Sequence, residues 1–178
     1  MIEERIAHEI AHGTLLREAW PGKLWYWETP AGRLRWKRRL KMLTSHITSD
    51  MNVLEIGCGV GYFTKEIAKT NAHVTAIDIS PDLLQVAQKD IKAANVTFKI
   101  ENAYDLNLSD NTFDTVVGSS VLRHLDARQA LKEFNRVLKP GGSVFFTEPN
   151  MANPQILLQK IFLFLKDRLK IPPMKQLF

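Results

Sequence analysis

The chain has a single cysteine, Cys58, in 178 residues. It therefore forms no intrachain disulfide and no cysteine-based zinc site. Long apolar runs are absent: the longest unbroken one, Ile161 to Leu165, is far too short to cross a bilayer. The opening stretch, MIEERIAHEI, is acidic and lacks an apolar core, so no secretory signal is expected in it. A cytoplasmic protein with a reduced thiol is the expectation, which makes the sequons at Asn95 and Asn107 chance matches. Charge of one sign is scarce as well. The 24 basic residues against 19 acidic ones leave a formal +5, too small an excess to point to nucleic acid by itself. Internal repeats and low-complexity tracts are lacking. The composition that is left, 45% hydrophobic and 24% charged, is that of a globular protein with one sizeable core.

Periodicity divides the chain into three parts of one domain. Residues 1–50 read as a helical, aromatic-rich cap, 51–149 as a core of alternating strands and helices, and 150–178 as an apolar helix and tail. In the core, Asn52–Ile56 reads as a first strand and Val60–Thr70 as a helix. His73–Ile79 reads as a second strand. Ser80, Pro81 and Asp82 then open a helix as N-cap, first helical residue and first-turn acid. Its buried face is expected to carry Leu83, Leu84, Ala87 and Ile91. Val96–Ile100 and Phe113–Ser119 read as the third and fourth strands. Asp126, with Gln129 three residues on, caps a helix whose face is Ala130, Leu131, Phe134 and Leu138. Lys139–Gly142 is read as its stop and Ser143–Thr147 as a fifth strand. Such alternation predicts an α/β fold, a doubly wound, mostly parallel Rossmann-like sheet with helices on both faces. Ligands bind such sheets beyond the carboxyl ends of the strands, where the strand order reverses.

The glycines concentrate at that place. Gly57, Gly59 and Gly61 fall within five positions, between the first strand and its helix. Alternate glycines permit a tight turn and close approach of a ligand to backbone, and the helix start favours an anionic group. Asp78, at the end of the second strand, is placed to accept from both ribose hydroxyls of a nucleoside ligand, or else only to support the Ser80 cap. The spacing is G-x-G-x-G, with Tyr62 where a dinucleotide fingerprint has its last glycine.

Here the residues resemble a family, the class I S-adenosylmethionine-dependent methyltransferases. Glu55 to Gly61 match its first motif, close to E/D-x-G-x-G-x-G, and Asp78 matches its strand-two acid. Glu101–Leu106 followed by Asn111–Asp114 resembles its third and fourth motifs. Ser119–Leu125 and Leu138–Gly142 are also typical of it. The resemblance covers roughly residues 50–148 and is nearest to a small-molecule subgroup that includes quinone-biosynthesis enzymes. It implies S-adenosylmethionine as cofactor, S-adenosylhomocysteine as product, and a small or lipid-like methyl acceptor. Glu55, Gly57, Cys58, Gly59 and Gly61 would shape the cofactor pocket, Asp78 would hold the ribose and Ile79 would lie against the adenine. Asn102, where the subgroup often has Asp, and Ala103 would meet the adenine edge. Ser119 would lie near the methionine amino group. Transfer from a sulfonium needs alignment and exclusion of water, and a base only where the acceptor must lose a proton. His124 and Glu148 are the candidates for that base, beside structural roles for both; Cys58 reads as a packing residue. No metal is expected.

The family's fold has two further strands in a C-terminal hairpin, and the eight residues after Lys170 are too few for it. Either the sequence is cut short of that hairpin, or the fifth strand is left as an open edge or covered by a partner, as in a dimer. In the amino-terminal part, Trp36, Leu40, Leu43 and Ile47 fall at the spacing of one helical face, with the arginines of Gly32–Lys41 expected mainly on the wet side. Among Trp20, Trp25, Tyr26 and Trp27, Tyr26 is the candidate lid or substrate residue. The apolar helix expected at 153–170 would pack on the sheet, line an acceptor pocket or make peripheral membrane contact. Two other functions stay open: a non-catalytic scaffold on the same fold, and an NAD-dependent oxidoreductase.

Overall fold

Five parallel strands form the sheet, in the order β3-β2-β1-β4-β5. They are β1 (Asn52–Ile56), β2 (His73–Asp78), β3 (Val96–Ile100), β4 (Phe113–Ser119) and β5 (Leu138–Thr147). A computed structural model describes residues 2–18 and 29–150. The helices are α1 (Ile2–Glu18), α2 (Pro30–Thr44), α3 (Tyr62–Ile67), α4 (Pro81–Asp90) and α5 (Ala127–Val137). Residues through Glu148 make one compact unit, and Pro149–Phe178 make a second. Tyr26, the other aromatics of 20–27 and the helix expected at 153–170 lie outside the described residues.

Alternation along the strands builds a core on each face of the sheet. Val53, Val74 and Ala76 point to one face and pack with Leu43 of α2, Phe63 and Ile67 of α3, and Leu84 of α4. Leu54, Ile56, Ile77 and Val116 point to the other and meet Ala130, Phe134 and Val137 of α5. Trp36 stacks on Phe63 at 4.3 Å between centroids, and Phe134 on Phe146 at 5.7 Å. Burial of each such aromatic contributes roughly 2–3 kcal/mol.

Helix starts follow their caps. Ser80 Oγ accepts from the Leu83 N–H, Asp126 Oδ1 from Gln129 N–H and Thr29 Oγ1 from Gly32 N–H, with Pro30 and Pro81 at first helical positions. Several expectations need correction. Ile47 and Ile91 do not belong to helical faces, because α2 ends at Thr44 and α4 at Asp90. The helix after the glycines is shorter than 60–70: it runs Tyr62–Ile67 and tightens to a 3₁₀ turn at Ala68–Thr70, where Thr70 Oγ1 bonds the Ile67 carbonyl. Leu131 is exposed at 45%, and Val137 takes its place on the buried face of α5. Lys139–Gly142 does not separate helix from strand. Leu138 already pairs with Phe113, and the register then shifts so that Ser143 pairs with Thr115, which leaves Pro140 and the two glycines as an irregularity within β5. Lastly, Arg39 does not stand on the wet side of α2 but is half-buried and lines the cavity described below.

Among the described residues β3 and β5 are the sheet edges. Val144 and Phe145 of β5 are more than a third exposed, and Phe145 is stacked on His46.

Candidate functional site

The strand order reverses between β1 and β4, and a cavity of about 360 Å³ opens beyond their carboxyl ends. Its size suits a small ligand. Gly57–Gly59 form one wall, Asp78 and Ile79 a second, and Asn102, Ala103 and Tyr104 a third. The segment after β4 adds Ser119, Ser120, Val121, Arg123 and His124. Ile6, Glu9 and Gly13, at one-face spacing on α1, complete it together with Arg39 of α2.

The three glycines all have positive φ, yet for different ends. A Cβ on Gly61 would come within 2.5 Å of Ile91 Cδ1, and one on Gly57 within 2.6 Å of Val121 Cγ2. Both positions are glycine because the fold packs against them. A Cβ on Gly59 would meet nothing within 4 Å, so the space over its backbone is open on the cavity side. Asp78 links this turn to the second strand. Its Oδ2 accepts from Gly59 N–H at 2.8 Å and its Oδ1 from Ser80 N–H at 2.9 Å. A carboxylate has about four lone-pair sites, so each oxygen keeps acceptor capacity. Both readings of Asp78 therefore hold together: it supports the α4 start and still faces the cavity. Burial pushes its carboxyl up, against the N–H bonds that hold it down, and Glu9 adds to the rise.

Glu55 lies one layer below, 3% exposed and outside the cavity lining. Its Oε2 has no hydrogen-bond partner among the described residues. Burial pushes its carboxyl up to about 7, the Thr64 hydroxyl opposing and Asp78 reinforcing the shift. Cys58 is buried and its thiol is raised well above the ordinary value by desolvation, which suits packing rather than nucleophilic chemistry.

Asn102 Oδ1 accepts from Tyr104 N–H at 3.0 Å, so one lone pair of the amide oxygen is already engaged in folding its own loop. Tyr104 OH in turn accepts from Asp126 N–H and ties this loop to α5. Ser119 Oγ accepts from Thr147 Oγ1. Ser120 has φ +63°, a strained value for serine, and its Oγ accepts from Arg39 Nη1 at 2.9 Å.

The two candidate bases differ. Glu148 is exposed, stands outside the cavity lining and accepts from Leu122 N–H, capping the turn after β4. His124 lines the cavity and uses both ring nitrogens. Arg123 Nε, which can only donate, bonds its Nε2 at 2.9 Å, and its Nδ1 meets Glu9 Oε1 at 2.9 Å. Those partners assign the ring proton to Nδ1.

Arg39, Glu9, Arg123 and Ser120 were not among the residues expected at the site. For Arg39 a signal was present. Trp36, Arg39, Leu40 and Leu43 fall at i, i+3, i+4 and i+7, so the arginine shares the inward face of α2. Among the described residues no group of three or more His, Cys, Asp or Glu side chains is arranged for a metal, and no helix is long and apolar enough to cross a membrane.

Comparison with known proteins agrees with this geometry. A family model described as a methyltransferase domain matches residues 54–146, just over half of the chain. The chain is 40% identical over 116 residues to a demethylmenaquinone methyltransferase of Tropheryma whipplei, covering 64% of this chain and 47% of the relative. It is 30% identical over 165 residues to an O-methyltransferase of Aspergillus nomiae, covering 84% and 71%. A solved SAM-dependent methyltransferase from Methanosarcina mazei superposes with a TM-score of 0.58 at 28% identity, over 67% of this chain and 62% of that one. The chain spans about half the length of the demethylmenaquinone methyltransferases it matches, 47% and 56%. The matched residues include the glycine turn, Asp78 and the strands that frame the cavity, and the chain belongs to the class I S-adenosylmethionine-dependent methyltransferase family.

Proposed function

We propose that this chain binds S-adenosylmethionine in the cavity at the β1/β4 switch point and methylates a small or lipid-like acceptor. The observation that carries the reading is the Gly59–Asp78 bond, which brings an open glycine turn and a ribose-type acceptor to one cavity. The residues fit the cofactor group by group. Asp78 would hold the ribose hydroxyls through its remaining lone pairs, and Ile79 and Ala103 offer apolar contact to the adenine. Asn102 would meet the adenine edge, chiefly through its NH₂ group. Arg39, held beside Ser119 and Ser120, would take the amino-acid carboxylate as a charge-assisted pair. Glu55 acts from beneath the turn, and Cys58 and Gly61 shape it.

When bound, the cofactor supplies a methyl group on a positively charged sulfur that needs no further activation. The chain has to orient the acceptor and exclude water. α1 lies along the cavity through Ile6, Glu9 and Gly13 and serves this. Where the acceptor is a hydroxyl, His124 is the base: its Nε2 takes the proton once the acceptor displaces Arg123 from it. Glu148 positions the turn that carries His124. The matched demethylmenaquinone and ubiquinone-biosynthesis methyltransferases support a quinol or phenol ring as the acceptor. The reading places the protein in the cytoplasm, working on soluble or membrane-surface acceptors. It also allows pairing of two copies along β5.

Incubation with tritium-labelled S-adenosylmethionine and a panel of naphthoquinols and phenols tests the proposal. Labelled product is expected from at least one of them. Tight S-adenosylhomocysteine binding with no labelled product from any acceptor would favour the scaffold reading instead.

A further inference from the structure

α1 does more than cover the cavity. It crosses the start of α4 at Gly13, where a Cβ would come within 2.4 Å of Ser80 Oγ, so the helix backbone sits directly on the cap that follows Asp78. One turn earlier the same face presents Glu9, whose Oε1 lies 2.9 Å from His124 Nδ1. Both side chains are only about a third exposed or less, at 28% and 30%. The pair thus bridges two parts of the unit that are 115 residues apart in sequence. A ring with its proton on Nδ1 keeps the Nε2 lone pair as its only proton acceptor.

Resting on the methyltransferase reading above, we propose that Glu9 is a positioning residue for His124. Its carboxylate holds the ring in the Nδ1–H form and in one orientation, so a competent base exists only when α1 is docked. In the proton step the acceptor O–H bond breaks and the proton passes to His124 Nε2. The bonding pair stays on the acceptor oxygen, and the imidazolium formed is balanced by Glu9. This is the logic by which a carboxylate fixes a catalytic imidazole elsewhere.

The charged surroundings are consistent with that division of labour. His124 is faced by Glu9 from α1 and by Arg123 from its own turn. Glu9 has His8 at 3.9 Å beside it and feels Asp78 across the cavity. Arg39 of α2 stands near Arg123 and Glu148. Glu9 is the carboxylate in ion-pair contact with the imidazole among the described residues.

Nitrogen NMR of the His124 ring separates this from a merely structural contact. At a pH where the ring is neutral, the wild type is expected to show the Nδ1–H tautomer, assigned by loss of the signal in His124→Gln. In an Arg123→Leu background, which removes the other group that keeps the proton off Nε2, Glu9→Leu should move the ring to the Nε2–H form or a mixture, and Glu9→Gln, which keeps an acceptor oxygen, should restore Nδ1–H. With an accepted hydroxyl substrate, Glu9→Leu should lower kcat roughly tenfold with KM within about twofold. Glu9→Gln should fall between, because it keeps the orientation and loses the charge. An unchanged tautomer when Glu9→Leu is added to the Arg123→Leu background, or an unchanged kcat in Glu9→Leu alone, overturns the proposal. S-adenosylhomocysteine affinity is measured in parallel: its absence in the wild type would sink the methyltransferase reading, whereas the tautomer reports on Glu9 independently.

Discussion

Glu55 shows how one buried side chain sets a pH dependence. Its folded carboxyl titrates near 7 because burial disfavours the charge, against an ordinary value of 4.5. The folded state therefore binds a proton that the unfolded chain has released between those values. Stability should fall as pH rises through this window, by about 3 kcal/mol for this group alone. Glu55→Gln should flatten the loss, and thermal melts between pH 5 and 8 would show it. Burial shifts Asp78 in the same direction. The glycines make a second residue-scale contrast. Gly61→Ala combines φ +83° with a contact at 2.5 Å to Ile91, and should cost about 2–4 kcal/mol in urea unfolding. Gly59→Ala meets no atom within 4 Å and should cost only about 1–2 kcal/mol, the strain of φ +55°. Its larger effect should be on cofactor affinity, because the added methyl fills the open side of the turn.

At the scale of elements, α2 is the clearest case of a helix doing two things. Leu43 anchors it in the core beside Ile47 of the turn that follows, and Arg39 reaches Ser120 at the cavity. Burial holds the guanidinium below its ordinary value, opposed by Glu148 and reinforced by Arg35 and Arg123. Arg39→Gln should weaken S-adenosylhomocysteine binding about tenfold in calorimetry, the size of one charge-assisted hydrogen bond. The β3–β4 loop is held from α5 by Arg136, which reaches Asp110, Glu133 and the carbonyls of Leu106 and Leu108. Arg136→Met should destabilise the unit by about 1–3 kcal/mol and speed amide exchange around residues 104–111. Much of this was readable in sequence, since strand alternation and caps are local. β3 and β4 fall at the expected residues, and Ser80 and Asp126 cap as expected. Glu9 was not legible in this way, and for Arg39 the spacing gave the inward face of α2 but not its partners. Their roles depend on how α1 and α2 lie over the sheet, which sequence spacing does not fix. Leu131 misled because helical periodicity alone leaves the edge of a face undecided, and Phe134 and Val137 fill the space against the sheet.

For the molecule as a whole, the decisive feature is that one cavity collects loops from four strands and two amino-terminal helices. Each loop is tied through a backbone N–H before any ligand arrives: Gly59 and Ser80 donate to the Asp78 carboxylate, Tyr104 to Asn102 Oδ1, and Ser120 to the Thr147 carbonyl. Such preorganisation lowers the ordering cost of binding. It also predicts a ligand with a ribose, an apolar ring and a carboxylate, which fits S-adenosylhomocysteine better than a dinucleotide. The most direct test is a thermal-shift titration with S-adenosylhomocysteine and, separately, NAD. At 100 times its Kd, a ligand that binds only the folded chain adds about 2.7 kcal/mol, seen as a rise of several degrees in Tm. A rise with S-adenosylhomocysteine alone, lost in Asp78→Ala, is the expected result; a rise with NAD alone, or with neither ligand, would contradict the assignment of this cavity.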